Sequence, residues 1–597
     1  MCYPRFHKNY CRFRVWAPEK ETMILRLLGQ EDKSSDSNWD IVMNKESGGY
    51  FIADVTGVKD GDRYVYIPDG RDPLPDPCSS FQPEGVFAAS QVIDHDRFKW
   101  KDSNWRGRPL SESVFYEIHV GTFTPAGSFE AIIPRLDELK AVGVNTLELM
   151  PVAQCPGKRN WGYDGVFLYA VQEAYGGPAG LRQLVDACHQ RDIAVFLDVV
   201  YNHIGPEGNC LPDFGPYFSD KYKTPWGKAL NFDGEWSDGV RDFIVGNAAF
   251  WAEQYHIDGL RLDAIHEIFD RNAVTIWDEL NVKVKQMQAG LGRSFHLVAE
   301  SDSNDPRTIR STDLGGKGFD AQWLDDFHHA LYVSLYPEGG RNYQDYIPME
   351  GLAKSYKDGF VHSGDYLFFR HRRHGASSAG ISGEHFIVFN QNHDLPGNRP
   401  DGLRLSGLVE LPALKLAAAA LLLSPYIPLL FMGEEYGETA PFHFFSDYQR
   451  PETCKGLIEN RRRQFAAFQF AGETRDPQDP AVFRESKLNW ANRRKDRHKE
   501  LLDWHTLLLK WRREHPLLAD LCKDRLRVEV IGRSGLALHR WSADHRCQLT
   551  CLFNFSADTA WNPGEDYKEY KTLLASGFSG VLLDPMGIAV LELNWMG

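Results

Sequence analysis

The chain has 597 residues, 43% of them apolar and 25% charged, a composition that excludes disorder and a length that exceeds one hydrophobic core, so two or three domains are expected. Its 82 acidic and 67 basic side chains leave a formal charge of −15, which excludes nucleic acid as a partner because such binding needs Lys and Arg to neutralise phosphates. The 10 cysteines form no CxxC pair and residues 1–8 lack the apolar stretch of a secretory signal, so reduced thiols in a cytoplasmic protein are expected.

Short alternating segments at 12–16, 23–28, 50–55 and 63–67 predict a small β-sandwich within 1–105, closed by a Pro-rich connector at 68–83. From Ser113 the pattern changes to apolar strands alternating with amphipathic helices. Candidate strands are 114–120, 145–152, 193–200, 259–265, 295–301, 319–324, 386–391 and 427–432. After Asp238, the residues Val240, Phe243, Ile244, Ala248, Trp251 and Tyr255 recur at helical spacing along one face. The fold class predicted is therefore α/β, a (β/α)8 TIM barrel over 106–515. The gaps 201–236 and 325–384 exceed ordinary βα loops and predict lids or inserted subdomains. The apolar run 416–432 is broken by Pro425 and Pro428, which predicts a buried helix entering a buried strand and no membrane span. A helix at 500–514 leads to strands at 527–531, 536–541, 548–555 and 588–593, an all-β domain over 516–597. Arg372-Arg373 and Arg461-Arg462-Arg463 read as solvated faces.

Active sites of such barrels lie at the carboxyl ends of the strands, and four candidate strands end in polar residues there. One runs into Asp198, Asn202 and His203, another carries Arg261 and Asp263, a third ends in Glu300, and a fourth leads to His393 and Asp394. Alternation along a strand turns Arg261 and Asp263 the same way and Leu260 and Leu262 toward the helices, so the guanidinium favours an ionised Asp263, suited to act as a nucleophile. Glu300, approached through apolar residues and close to other acids, is expected to hold its proton and donate it. Neighbouring strands bring two such carboxyls to about 5–5.5 Å, the separation of a retaining glycosidase pair. Asp394 is the third acid, placed to steady an oxocarbenium-like transition state. Aromatic residues make up 13% of the chain. Trp161, Tyr163, Trp226, Trp236, Trp323 and Phe327 fall in or beside the loops, where flat rings suit glucose faces, although each alone is more often core packing.

These four segments resemble the signature regions of the α-amylase superfamily. Carried over by position, Asp263 matches the nucleophile, Glu300 the acid/base and Asp394 the transition-state stabiliser. Asp198, Asn202, His203, Arg261 and His393 match supporting and substrate-binding positions. Within the superfamily the chain resembles the maltooligosyltrehalose trehalohydrolases, on segments that include Phe13-Arg14-Val15-Trp16-Ala17-Pro18, Phe115-Tyr116-Glu117-Ile118-His119-Val120-Gly121, Asn160-Trp161-Gly162-Tyr163-Asp164-Gly165 and Gln322-Trp323-Leu324-Asp325-Asp326-Phe327-His328-His329. The resemblance implies hydrolysis of the α-1,4 bond next to the terminal α,α-trehalose of a maltooligosyltrehalose, with no cofactor and no metal. It also implies a pathway partnership with an enzyme that forms that substrate. The substrate pocket would be shaped around Trp161, Tyr163, Asp164, Trp323, Asp326 and Phe327. The N-terminal sandwich accompanies branching and debranching enzymes as well and does not choose among them. A non-catalytic glucan-binding barrel is the alternative from another class, and the intact acids speak against it. Ser301 after Glu300, and Ser446-Asp447-Tyr448-Gln449 after the eighth strand, depart from the usual wording.

Overall fold

The computed structural model describes residues 2–29, 38–336, 343–468, 475–564 and 567–594. Eight short apolar strands close a parallel barrel in sequence order: β1 (Phe115–Ile118), β2 (Thr146–Leu149), β3 (Ala194–Val199), β4 (Gly259–Leu262), β5 (His296–Ala299), β6 (Ala321–Trp323), β7 (Phe386–Phe389) and β8 (Ile427–Phe431). Apart from His296 every residue in them is buried, because helices cover the outside and side chains fill the inside. Alternation divides them into two cores. Phe115, Phe196, Val298, Trp323, Phe389 and Leu429 pack together inside the barrel. Leu147, Leu197, Leu260, Leu262, Leu297 and Val388 join the helical shell. Register then sets the inward neighbours: Glu117 stands beside Glu148, and Asp198 beside Arg261.

The helix Ser237–Tyr255 buries the predicted stripe, Val240, Phe243, Ile244, Ala248, Trp251 and Tyr255. The run 416–432 is the helix Leu411–Leu422 followed by β8, and no described helix is long and apolar enough to cross a membrane. The two long gaps carry structure of their own. Residues 201–236 hold the helix Leu211–Phe214 and a hairpin of Phe218–Thr224 with Gly227–Leu230. Residues 325–384 hold the helices Asp325–Leu335 and Pro348–Asp358 and a hairpin of Asp365–Leu367 with Arg372–His374.

Ahead of the barrel lie two four-stranded sheets containing the predicted strands, here Cys11–Trp16 and Tyr50–Val55 in one and Met23–Leu27 and Arg63–Pro68 in the other. Tyr50 anchors this part to the barrel by donating its hydroxyl to Asp242 at 2.8 Å. Behind the barrel, after the helix Asp496–Glu514, comes a five-stranded antiparallel sheet. Its edge strand Lys571–Phe578, with a single buried residue, falls outside the predicted strands.

Two expectations are corrected. Cys2 and Cys78 form a disulfide, their Cα atoms 5.8 Å apart, whereas the other eight cysteines are free. At a sequence separation of 76, only the folded chain brings the two thiols within bridging range. Arg461 is buried, where a solvated residue is expected; it donates to Gly397 O and Asn398 Oδ1, each at 2.8 Å, and so braces the turn after Asp394. Arg462, Arg463, Arg372 and Arg373 are exposed.

Candidate active site

Arg261, fully buried on β4, organises the carboxyl end of the barrel. Its Nη1 reaches Asp198 on β3 at 2.8 and 2.9 Å and Asp263 Oδ1, just past β4, at 3.0 Å. Its Nη2 lies 3.6 Å from Glu300 Oε2, just past β5. The guanidinium also sits over the Trp323 ring, 4.2 Å from its centre. One cation therefore faces three carboxyl groups at the point where the barrel opens. Burial pushes Glu300 well above the ordinary carboxyl range; Arg261 opposes this, and Asp263, Asp325 and Asp394 add to it. Burial also raises Asp198, to about 6, against the pull of Arg261. The two candidate catalytic acids are held differently. Asp263 accepts from Asn202 Nδ2 at 2.9 Å, and Glu300 accepts the backbone N–H of Ala264 at 2.6 Å. Ala264 has φ 42°, a left-handed conformation that costs a non-glycine residue roughly 1 kcal/mol and that here turns its amide toward Glu300.

Asp394 opens the short helix Asp394–Gly397 and accepts from Asn398 Nδ2 at 3.0 Å. His393 lies behind it, with Nε2 at 2.8 Å from the Tyr163 hydroxyl and 3.6 Å from Asp394 Oδ1. Burial lowers His393, but Asp394 and Glu117 outweigh that and raise it to about 9. His203 bonds the Tyr163 carbonyl at 3.1 Å and stacks on the half-exposed Trp226, ring centres 5.2 Å apart. Trp161 is buried, stacked on Phe442 and tied through Nε1 to His443 O at 2.9 Å. Asp164 accepts from Asn160 Nδ2 at 2.8 Å. Among the described residues no group of three or more His, Cys, Asp or Glu is arranged to hold a metal ion.

The alpha amylase catalytic-domain family model matches residues 93–223. Over most of the chain the similarity is to malto-oligosyltrehalose trehalohydrolases. That of Saccharolobus solfataricus is 44% identical, over 89% of this chain and 91% of its own, and that of Arthrobacter ramosus 42%, over 85% and 88%. The chain belongs to the malto-oligosyltrehalose trehalohydrolase family. It is a glycoside hydrolase of the alpha-amylase class. Among solved structures, a candidate alpha amylase from Salmonella typhimurium superposes with a TM-score of 0.90 at 35% identity, over 99% of both chains.

Viewed as a member of this family, the molecule departs from the sequence expectation mainly around β6. Phe327 is fully buried against Tyr356 and Tyr426 in the helical shell and does not line the barrel mouth. Asp326 spends its carboxylate within the fold, accepting from Asn304 Nδ2 (2.8 Å), the Tyr346 hydroxyl (2.5 Å), Val361 N (2.6 Å) and His362 N (3.1 Å), and so fixes the loop wall. Both follow from helical phase, since the helix Asp325–Leu335 starts at this point. Its first residue, Asp325, is the acid that joins Glu300 and Asp394, and burial with Asp394 raises it to about 7. Its pairing with Asp326 hid it in the sequence. Beside Asp394 opens a cavity of about 300 Å³ whose walls include His328, Tyr343, His362, Arg370, Asn390 and Arg399. His328 Nε2, His362 Nε2 and Asn390 Oδ1 are buried there with no protein partner. For Tyr343, His362 and Arg370 the long gap was the only sequence signal.

Proposed function

We propose that this chain hydrolyses the α-1,4 bond adjacent to the terminal α,α-trehalose of maltooligosyltrehaloses, releasing trehalose and a maltooligosaccharide with retention of configuration. The observation that carries the mechanism is the unequal environment of the two acids around Arg261. Burial and neighbouring acids raise Glu300 well above the ordinary carboxyl range, favouring its protonated form, and Asp263 is paired with the guanidinium. In this reading Glu300 protonates the leaving oxygen while Asp263 attacks the anomeric carbon and forms a glycosyl-enzyme. Glu300, now ionised, takes a proton from water as the water displaces Asp263, which restores both groups. Asp394 holds sugar hydroxyls as positive charge develops on the ring, and Asp198, Arg261, His393, Asn202 and His203 fix the three acids.

The cavity beside Asp394 supports a polyhydroxylated ligand, because polar and aromatic side chains, among them His328, Tyr343, Arg370 and Arg399, line it. We assign the reaction to residues 106–515. The trehalohydrolase relatives support the substrate, which an enzyme forming maltooligosyltrehalose has to supply. The test is chromatography of the products from maltotriosyltrehalose beside those from plain maltopentaose. Free trehalose with slow cleavage of maltopentaose is expected; equal cleavage of both, or no trehalose, overturns the substrate assignment.

A further inference from the structure

Behind the acids lies a chain of polar contacts whose protons can be counted. Glu117, on β1 and almost fully buried, accepts the backbone N–H of His393 at 2.9 Å through Oε2 and meets its ring Nδ1 at 2.5 Å through Oε1. On the other side of the ring, Nε2 is 2.8 Å from the Tyr163 hydroxyl. That hydroxyl has one hydrogen, and it is donated to Asp198 Oδ2 at 2.5 Å, where both carboxylate oxygens already accept from Arg261. The Tyr163 oxygen can then only accept from His393. With Glu117 ionised, both its oxygens accept too, and both ring nitrogens of His393 carry protons.

We propose that Glu117 is a positioning residue for hydrolysis, holding His393 as an imidazolium with its Nε2 edge turned to Tyr163 and Asp394. A fixed positive charge then lies under the acid that meets the sugar. The inference rests on the reading of Asp394 as part of the active site. The other groups around His393 agree with it. Glu148, in register with Glu117 on β2, is fully buried with both oxygens unbonded, and burial raises it well above the ordinary carboxyl range, so the carboxyl that contacts His393 is that of Glu117. His119, past β1, is lowered to about 4 by burial and stays neutral, and Trp161 and Trp323 pack against the ring. Arg261 opposes a charged His393, whereas Asp394 and Glu117 favour it.

The test is the titration of the His393 ring, read by long-range 15N–1H spectra of histidine-labelled protein and assigned by the signal missing from His393→Gln. In the native enzyme both ring nitrogens should remain protonated through pH 7.5. In Glu117→Gln, which offers one acceptor oxygen in place of two, the titration should fall by at least about one pH unit, with kcat lowered and KM little changed. Glu117→Asp should recover part of the shift. A neutral His393 in the native enzyme at pH 7.5 overturns the proposal, and so does a Glu117→Gln titration unchanged from native. Should Glu117→Gln not fold, the native titration decides alone. Failure of the trehalose assay would leave these spectra unaffected, so the two readings fail separately.

Discussion

The two ends of strand β4 each carry a buried charge cluster, and they differ in how completely their polar atoms are bonded. At the amino end, Asp258 and Asp102 hold His189 between them, with Nε2 at 2.9 Å and Nδ1 at 2.8 Å. Asp258 also accepts from Trp105 Nε1 and Val195 N, and Asp102 from His256. At the carboxyl end, Arg261 faces three carboxyl groups, yet its Nε and Nη2, and Trp323 Nε1, have no hydrogen-bond partner. A closed network of this kind pins the connector at 102–105 to the barrel. An open one leaves partly exposed acids, Asp263, Glu300 and Asp394, for a substrate to use, in line with the division of labour between barrel ends.

The contrast breaks most decisively at Asp263. On its proposed role, Asp263→Asn should lower kcat on maltotriosyltrehalose by about four orders of magnitude, roughly 5.5 kcal/mol in the transition state, while the melting temperature holds or rises. Substantial turnover in purified Asp263→Asn would remove it as nucleophile. The mirror substitution is Asp258→Ala, which leaves His189 buried with half its counter-charge and should cost about 3–5 kcal/mol of stability in urea. The fraction that remains folded should keep native kcat. A loss of kcat without loss of stability would mean that the amino-end cluster is tied to the chemistry after all.

The same cluster fixes a pH window for stability. Burial opposes the charged form of His189, but Asp258 and Asp102 outweigh it and raise the group above its unfolded value. Its contribution is therefore complete below the unfolded histidine value and lost as pH rises through the folded one. Asp258 and Asp102 are lowered despite burial, chiefly by His189, and their contribution is lost as pH falls through their depressed values. In His189→Gln the urea midpoint should be lower at neutral pH and flatter against pH on both sides. A native slope in that variant would place the effect elsewhere. A smaller effect is steric. A Cβ on Gly259, at the start of β4, would lie 2.2 Å from the Phe196 ring, so Gly259→Ala should cost about 1–3 kcal/mol of stability without altering the pH profile.

How much of this was legible follows from the same alternation. The eight barrel strands could be read because they are apolar runs between turns, and the inward direction of Arg261 and Asp263 because Leu260 and Leu262 face the shell. Roles that depend on phase or on backbone conformation could not. Asp325 and Asp326 are equivalent on paper, and only the start of a helix sends one to the acids and the other to the loop wall. Ala264 carries no sign in sequence of its positive φ, because nothing in an alanine announces a turn that aims an amide at Glu300. The Cys2–Cys78 pair was hidden by sequence distance.

Asp325 offers the finest test of the carboxyl end, because it alters the proton donor without touching the proposed nucleophile. Its carboxyl is one of three that raise Glu300, after burial and with Asp263 and Asp394. Activity on the proposed mechanism needs Glu300 protonated, so it falls as pH rises through the Glu300 value. Asp325→Asn removes a negative charge that penalises ionised Glu300, lowers that value, and should move the basic limb of the kcat profile toward acid by about 0.5–1 unit, on the order of 1 kcal/mol. The acid limb, set by the nucleophile, should stay in place. A basic limb that does not move would assign it to another group, and one that moves toward alkali would mean that Asp325 stabilises the ionised acid, reversing the electrostatic account of this end of the barrel.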